Sequence, residues 1–284
     1  FIADYHALTQ HPDPSQLEQS IFNVALDFIA CGLDPEKITF FRQSHIPEIT
    51  ELTWILNCMT PLGLLERCHS FKDKTAQGIT PNHGLFSYPV LMAADILIYN
   101  SDLVPVGQDQ KQHLEVTRDI AKRFNNAYGE LFRLPKEMIR EETASVPGVD
   151  GRKMSKSYGN AIDIFGDEKQ MRKTIMRIVT DSTPVESPKD PDACNVFALY
   201  KLFADDAACE EMRQRYLEGG LGYGEAKQAL FEAYWEYFRP FRKQREELLT
   251  NPEQIYAALE KGAAHARAVA EETLRRIKHA VGIA

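Results

Sequence analysis

Leu103-Val104-Pro105-Val106-Gly107-Gln108-Asp109-Gln110 is the stretch on which the fold turns. Leu103 to Val106 reads as a short strand, Gly107 ends it, and Asp109 opens a helical pattern that runs to about Phe124. Upstream, residues 1–3 and 38–41 read as two further strands. Asp13 and Pro14 carry helix-start signals between them and Gly32 a stop signal. Leu17, Ile21, Val24, Ala25 and Phe28 recur there at helical spacing. Residues 49–65 form a helical pattern broken near Pro61 and Gly63, and Pro89 opens another that reaches about Tyr99. Strands that alternate with helices imply a parallel α/β sheet, a Rossmann-like arrangement. Ligands of such sheets bind beyond the carboxyl ends of the strands, where Gly107 to Gln110 lie.

After Asn160 the pattern becomes helical throughout, over residues 167–179, 206–217, 224–249 and 252–281. The expected organisation is therefore a Rossmann-like domain over 1–160 and an all-helical domain over 161–284. Residues 69–84 and 182–194 read as polar, proline-containing loops.

The chain of 284 residues is 44% apolar, enough for one large domain or two smaller ones. No apolar run approaches the ~20 residues of a membrane helix. A net charge of −8 excludes a generally basic nucleic-acid binder, so any RNA contact must use local basic patches such as Arg239, Arg242, Lys243 and Arg245. Five cysteines without C-x-x-C spacing argue against a zinc or iron–sulfur centre and for reduced thiols in the cytoplasm. Phe1-Ile2-Ala3 has no basic leader ahead of it and reads as a strand already under way, so further sequence before Phe1 is expected.

Three segments carry chemistry. Lys153-Met154-Ser155-Lys156-Ser157, between Gly151 and Gly159, sets two compact cations and two hydroxyls on a glycine-flanked loop, suited to polyphosphate oxygens. Met154 can dock on an apolar surface. Taken alone, such a run is more often a solvated surface loop. At Gly107 to Gln110, the glycine permits close backbone approach, Asp109 can accept from ribose hydroxyls, and Gln110 can donate and accept. An Asp there is more often only a helix cap. Tyr88, Met92, Asp95 and Tyr99 share one helical face. A carboxylate in an otherwise apolar helix needs a donor, and an indole N–H, which only donates, would serve. An ordinary core helix is the plainer alternative.

Together these runs resemble the class I aminoacyl-tRNA synthetases, and Tyr88-Pro89-Val90-Leu91-Met92-Ala93-Ala94-Asp95-Ile96 resembles the tryptophanyl branch. The resemblance covers essentially the whole chain. It implies ATP-dependent activation of L-tryptophan, then transfer to tRNA(Trp), by a cytoplasmic homodimer with Mg²⁺ accompanying ATP. It places ATP on Gly107, Gln108, Asp109, Val146, Lys153, Met154, Ser155, Lys156 and Ser157, with Lys153 and Lys156 catalytic. Tryptophan falls to Asp95, Tyr88, Met92, His6, Gln110, Val104 and Val106. The helical domain would recognise the anticodon, with Tyr234, Trp235 and Tyr237 as aromatic candidates. The HIGH-type motif of these enzymes has no counterpart in residues 1–284, which keeps a non-catalytic paralogue in view beside a tyrosine-specific enzyme.

Overall fold

The expected strand at 103–106 forms as β1, Leu103–Pro105, and pairs in parallel with β2, Lys136–Met138, with Val104 opposite Glu137. The computed structural model describes residues 1–68, 82–139 and 146–284, and the side chains of Asp109 and Ser157 lie outside that description. In chain order the helices of the first part are α1 (Asp4–Ala7), α2 (Pro14–Ala30), α3 (Pro47–Met59), α4 (Leu62–Glu66), α5 (His83–Leu97) and α6 (Lys111–Tyr128). They continue as α7 (Glu168–Met176), α8 (Asn195–Tyr200), α9 (Asp206–Glu218), α10 (Tyr223–Tyr237), α11 (Arg239–Leu249) and α12 (Glu253–Val281).

Local chemistry accounts for several boundaries. Asp13 caps α2 by accepting the Gln16 N–H at 3.1 Å, and Pro14 occupies its first turn, where a missing N–H costs nothing. The strands expected at 1–3 and 38–41 reduce to a single parallel bridge between Ile2 and Arg42. Its ladder consists of Ile2 N–H to Phe41 O and Gln43 N–H to Ile2 O, both 2.9 Å. The chain then turns at once into α1, because Asp4 binds back to the 42–44 segment instead of extending the strand. Helix α5 begins at His83, not at Pro89 as expected. Asn82 supplies the cap, accepting the Leu85 N–H at 2.7 Å, so Pro89 sits inside the helix. The long helix expected over 224–249 divides at Phe238, where Pro240 has no N–H to continue the ladder.

The chain forms two compact units, residues 1–140 with 247–284, and residues 141–246. This division differs from the expected break near 160, and packing explains it. The small and apolar face of α12 (Ala263, Ala266, Ala270, Leu274 and Ile277) shares one core with Ile49, Leu52 and Leu56 of α3 and Val90 and Leu97 of α5. Gly262 permits the approach, since a Cβ there would lie 1.9 Å from the Phe40 carbonyl oxygen. The C-terminal helix thus belongs to the unit that contains β1. A second cluster, Ile21, Leu26 and Ile29 of α2 with Ile255 and Leu259 of α12, adds to that unit. The other unit has its own core around Ile175, Phe197, Tyr216 and Leu230. Among the described residues no helix is long and apolar enough to cross a membrane.

Candidate active site

Asp95 lies on α5 with only 4% of its surface exposed. A buried carboxylate is costly unless donors reach both oxygens, and here two do. His6 Nε2 is 2.8 Å from Oδ2, and Gln43 Nε2 donates to Oδ1 at 2.7 Å. An ionised carboxylate only accepts, so His6 carries its proton on Nε2 in this pair. Burial pushes the Asp95 carboxyl above the ordinary aspartate range, and the His6 and Gln43 contacts offset part of that rise.

The Ile2–Arg42 bridge places both donors. Asp4, itself buried, accepts the Arg42 guanidinium, the Ser44 hydroxyl, the Ser44 N–H at 2.9 Å and the Tyr5 N–H at 3.1 Å. Those bonds tie α1, which carries His6, to the 42–44 segment, which carries Gln43. Gln43 is fully buried, and its Oε1 accepts the Tyr5 N–H at 3.1 Å.

A second chain of contacts starts from Tyr88, about two turns before Asp95 on α5. Its hydroxyl is 2.8 Å from His113 Nε2, and His113 Nδ1 is 2.8 Å from Gln110 Oε1. The Gln110 carbonyl accepts, so Nδ1 of His113 donates to it, and Nε2 is the atom that meets the Tyr88 hydroxyl. His6 meets the Tyr88 ring edge-on, with centroids 6.1 Å apart. Tyr88, Met92, Gln110, Val104 and Val106 are half-buried, whereas Gly107 and Gln108 are exposed at the carboxyl end of β1. Of the expected tryptophan residues, His6 meets both Asp95 and Tyr88, and His113 joins Tyr88 to Gln110. Asp109 lies in the short 3₁₀ turn Gln108–Gln110, and its side chain is outside the described residues.

In the other unit the segment 146–160 is a tight, internally bonded loop. Pro147 bridges antiparallel to Lys153, with the Gly148 N–H donating to Arg152 O at 2.7 Å and the Met154 N–H to Val146 O at 2.8 Å. Gly151 turns the hairpin at φ +79°. Asn160, 2% exposed, pins the loop from within. Its Nδ2 donates to Asp150 Oδ1 at 2.7 Å and to Lys153 O at 3.1 Å, and its Oδ1 accepts the Ser155 N–H at 2.8 Å. The Asn160 contact and the Arg152 guanidinium hold the Asp150 carboxyl below its ordinary range. Val146 and Met154 pack on the core of this unit. Lys153 and Lys156 are exposed, and among the described residues neither ammonium is paired with a carboxylate. The loop thus presents two free cations on a fixed backbone, while the Ser157 side chain is outside the described residues.

Sequence reasoning missed Gln43 and Asn160, because each acts through contacts that no local spacing announces. It also proposed Tyr234 and Trp235 for base stacking. Tyr234 is 3% exposed and bonds to the Asp163 carbonyl, and Trp235 stacks beneath the Arg242 guanidinium, 3.4 Å from the ring centre. Tyr237 is half exposed.

The family described as tRNA synthetases class I (W and Y) matches residues 1–239. A tryptophan–tRNA ligase from Rhodopirellula baltica is 54% identical over 283 residues, which span 100% of this chain and 88% of that protein. The crystal structure of tryptophanyl-tRNA synthetase from Campylobacter jejuni, complexed with ADP and tryptophan, matches with a TM-score of 0.94 at 50% identity, covering 99% of this chain and 88% of that one. Tyrosyl-tRNA synthetase from Archaeoglobus fulgidus shares the fold at a TM-score of 0.63 and 20% identity, over 86% of this chain and 78% of that one. With half of its residues shared along its entire length, the chain belongs to the class I tRNA synthetases, in the tryptophan–tRNA ligase family.

Proposed function

We infer that the enzyme joins L-tryptophan and ATP into tryptophanyl-adenylate and pyrophosphate, then passes the tryptophanyl group to tRNA(Trp). The observation that carries this reading is Asp95, a buried carboxylate held by His6 and Gln43, with Tyr88 against His6. It offers an acceptor to an indole N–H, and a buried acceptor left unpaired disfavours a ring without that donor. Tyr88, Met92, His6, Val104 and Val106 line the indole, and Gln110 faces the amino acid. Gly107, Gln108 and Asp109 hold the ribose of ATP.

In the activation step a carboxylate oxygen of tryptophan attacks the α-phosphorus of ATP, and the bond to the bridging oxygen of pyrophosphate breaks. Negative charge collects on that leaving group. Lys153 and Lys156, with Met154, Ser155 and Ser157 shaping the loop, supply cations where the charge develops. Mg²⁺ enters with ATP, carried by its phosphates. We take the enzyme to act as a cytoplasmic homodimer. ATP–pyrophosphate exchange dependent on tryptophan tests the reading, and exchange with tyrosine but not tryptophan overturns it.

A further inference from the structure

We propose that Gln43 is the positioning residue that keeps Asp95 a fixed, ionised acceptor and so sets the preference for a ring bearing N–H over an isosteric ring without it. This rests on the indole role of Asp95. Gln43 lies outside the segments that carry the resemblance and reaches the pocket through the Ile2–Arg42 bridge, by its own N–H to Ile2 O at 2.9 Å.

The polarity of its amide is enforced. Oε1 accepts the Tyr5 N–H at 3.1 Å, so Nε2 must face Asp95 Oδ1 at 2.7 Å. Turning the amide over would set donor against donor at Tyr5 and acceptor against acceptor at Asp95. Gln43 is fully buried, so water cannot relieve either clash. The backbone of Tyr5 therefore dictates, through Gln43, that Oδ1 receives a donor. His6 does the same for Oδ2 at 2.8 Å. Each carboxylate oxygen accepts twice, so one site remains on each for the substrate. A protonated Asp95 would fill one of these remaining sites with its own hydrogen and offer the substrate a donor in place of an acceptor. By donating to Oδ1, Gln43 favours the ionised form in a place where burial favours the neutral one.

The test is the ratio of kcat/KM for L-tryptophan to that for 3-(benzothien-3-yl)-L-alanine, whose sulfur replaces the indole N–H. It is read by pyrophosphate exchange in the whole enzyme, in wild type, Q43E and Q43M. Q43E keeps the size and the acceptor for Tyr5 but sets a carboxyl against Asp95, so the two share a proton and Asp95 is no longer a plain ionised acceptor, and Q43M loses both the donor and the acceptor. Both substrates are read on one preparation, so partial loss of folded protein cancels in the ratio. Wild type should prefer tryptophan by about ten-fold or more, and both variants should lose most of that preference with the KM for ATP little changed. A wild-type ratio retained in both variants overturns the role of Gln43. A wild type that shows no preference overturns the reading of Asp95 itself, and the proposal with it.

Discussion

His6 Nε2 and Asp95 Oδ2 lie 2.8 Å apart across 89 positions of sequence. The His6 contact offsets part of the rise that burial gives the Asp95 carboxyl and so favours its accepting form. Replacing Asp95 with Ala should therefore raise the KM for tryptophan by about ten-fold or more while leaving the KM for ATP nearly unchanged. Steady-state exchange kinetics with each substrate varied in turn would show it, and unchanged tryptophan affinity would refute the indole role.

The same pair predicts an acid limb. Burial raises the Asp95 pKa in the folded protein, so this carboxyl gains its proton at a higher pH than an ordinary aspartate as pH falls. The KM for tryptophan should rise through that window, because the protonated group no longer accepts from an indole. Stability should move the other way. With the folded pKa above the unfolded one, the Asp95 contribution is present at low pH and is lost as pH rises through the folded pKa. An Asp95→Asn enzyme should lack both effects, and a tryptophan KM with the wild-type acid limb in that variant would assign the titration elsewhere.

Asp95 and the lysine loop were legible in the sequence because each is a local anomaly. One is a carboxylate in an apolar helix, and the other is paired cations flanked by glycines. Gln43 was not legible, since its partners Tyr5 and Asp95 come together only through the bridge between residues 2 and 42. The strands near the N-terminus were over-read for a related reason. Apolar runs at 1–3 and 38–41 were strand-like, but the chain spends its hydrogen-bonding groups on the Asp4 network after one bridge. Periodicity revealed the apolar face of α12, though not the surface that receives it. A face says that a helix is covered, and only the tertiary fold says by what.

Lys153 and Lys156 are exposed and unpaired with carboxylates among the described residues, so their removal disturbs little in the resting protein. Substitution of either by Ala should lower kcat for adenylate formation more than it weakens tryptophan binding, by ten-fold or more for a group that acts on developing charge, on the order expected for oxyanion stabilisers. Single-turnover adenylation beside equilibrium tryptophan binding separates the two. An equal loss in both would assign the lysines to folding or ground-state binding.

Asn160 should matter to the same step without touching the substrate. Its carboxamide joins Asp150, Lys153 O and the Ser155 N–H, so Asn160→Ala frees the loop backbone. Gly148→Ala should act similarly, because its Cβ would fall 2.4 Å from Asn160 Nδ2. Both variants should lower kcat and raise the KM for ATP, with the KM for tryptophan retained. Wild-type adenylation in both would mean that the loop needs no internal pin.

The place of α12 in the first unit makes a stability prediction opposite to that of an independent C-terminal domain. Leu274 is 4% exposed in the core that includes Ile49, Leu56 and Leu97. Leu274→Ala should cost about 2–4 kcal/mol, the usual range for a buried leucine truncated to a methyl group. Gly262→Val should cost more, because Phe40 backbone already occupies the space. Urea unfolding followed by tryptophan protection reads the outcome. The first unit carries Asp95, so losing α12 contacts should shift unfolding and tryptophan affinity together. A C-terminal transition that moves alone, with the pocket unchanged, would restore the division near residue 160.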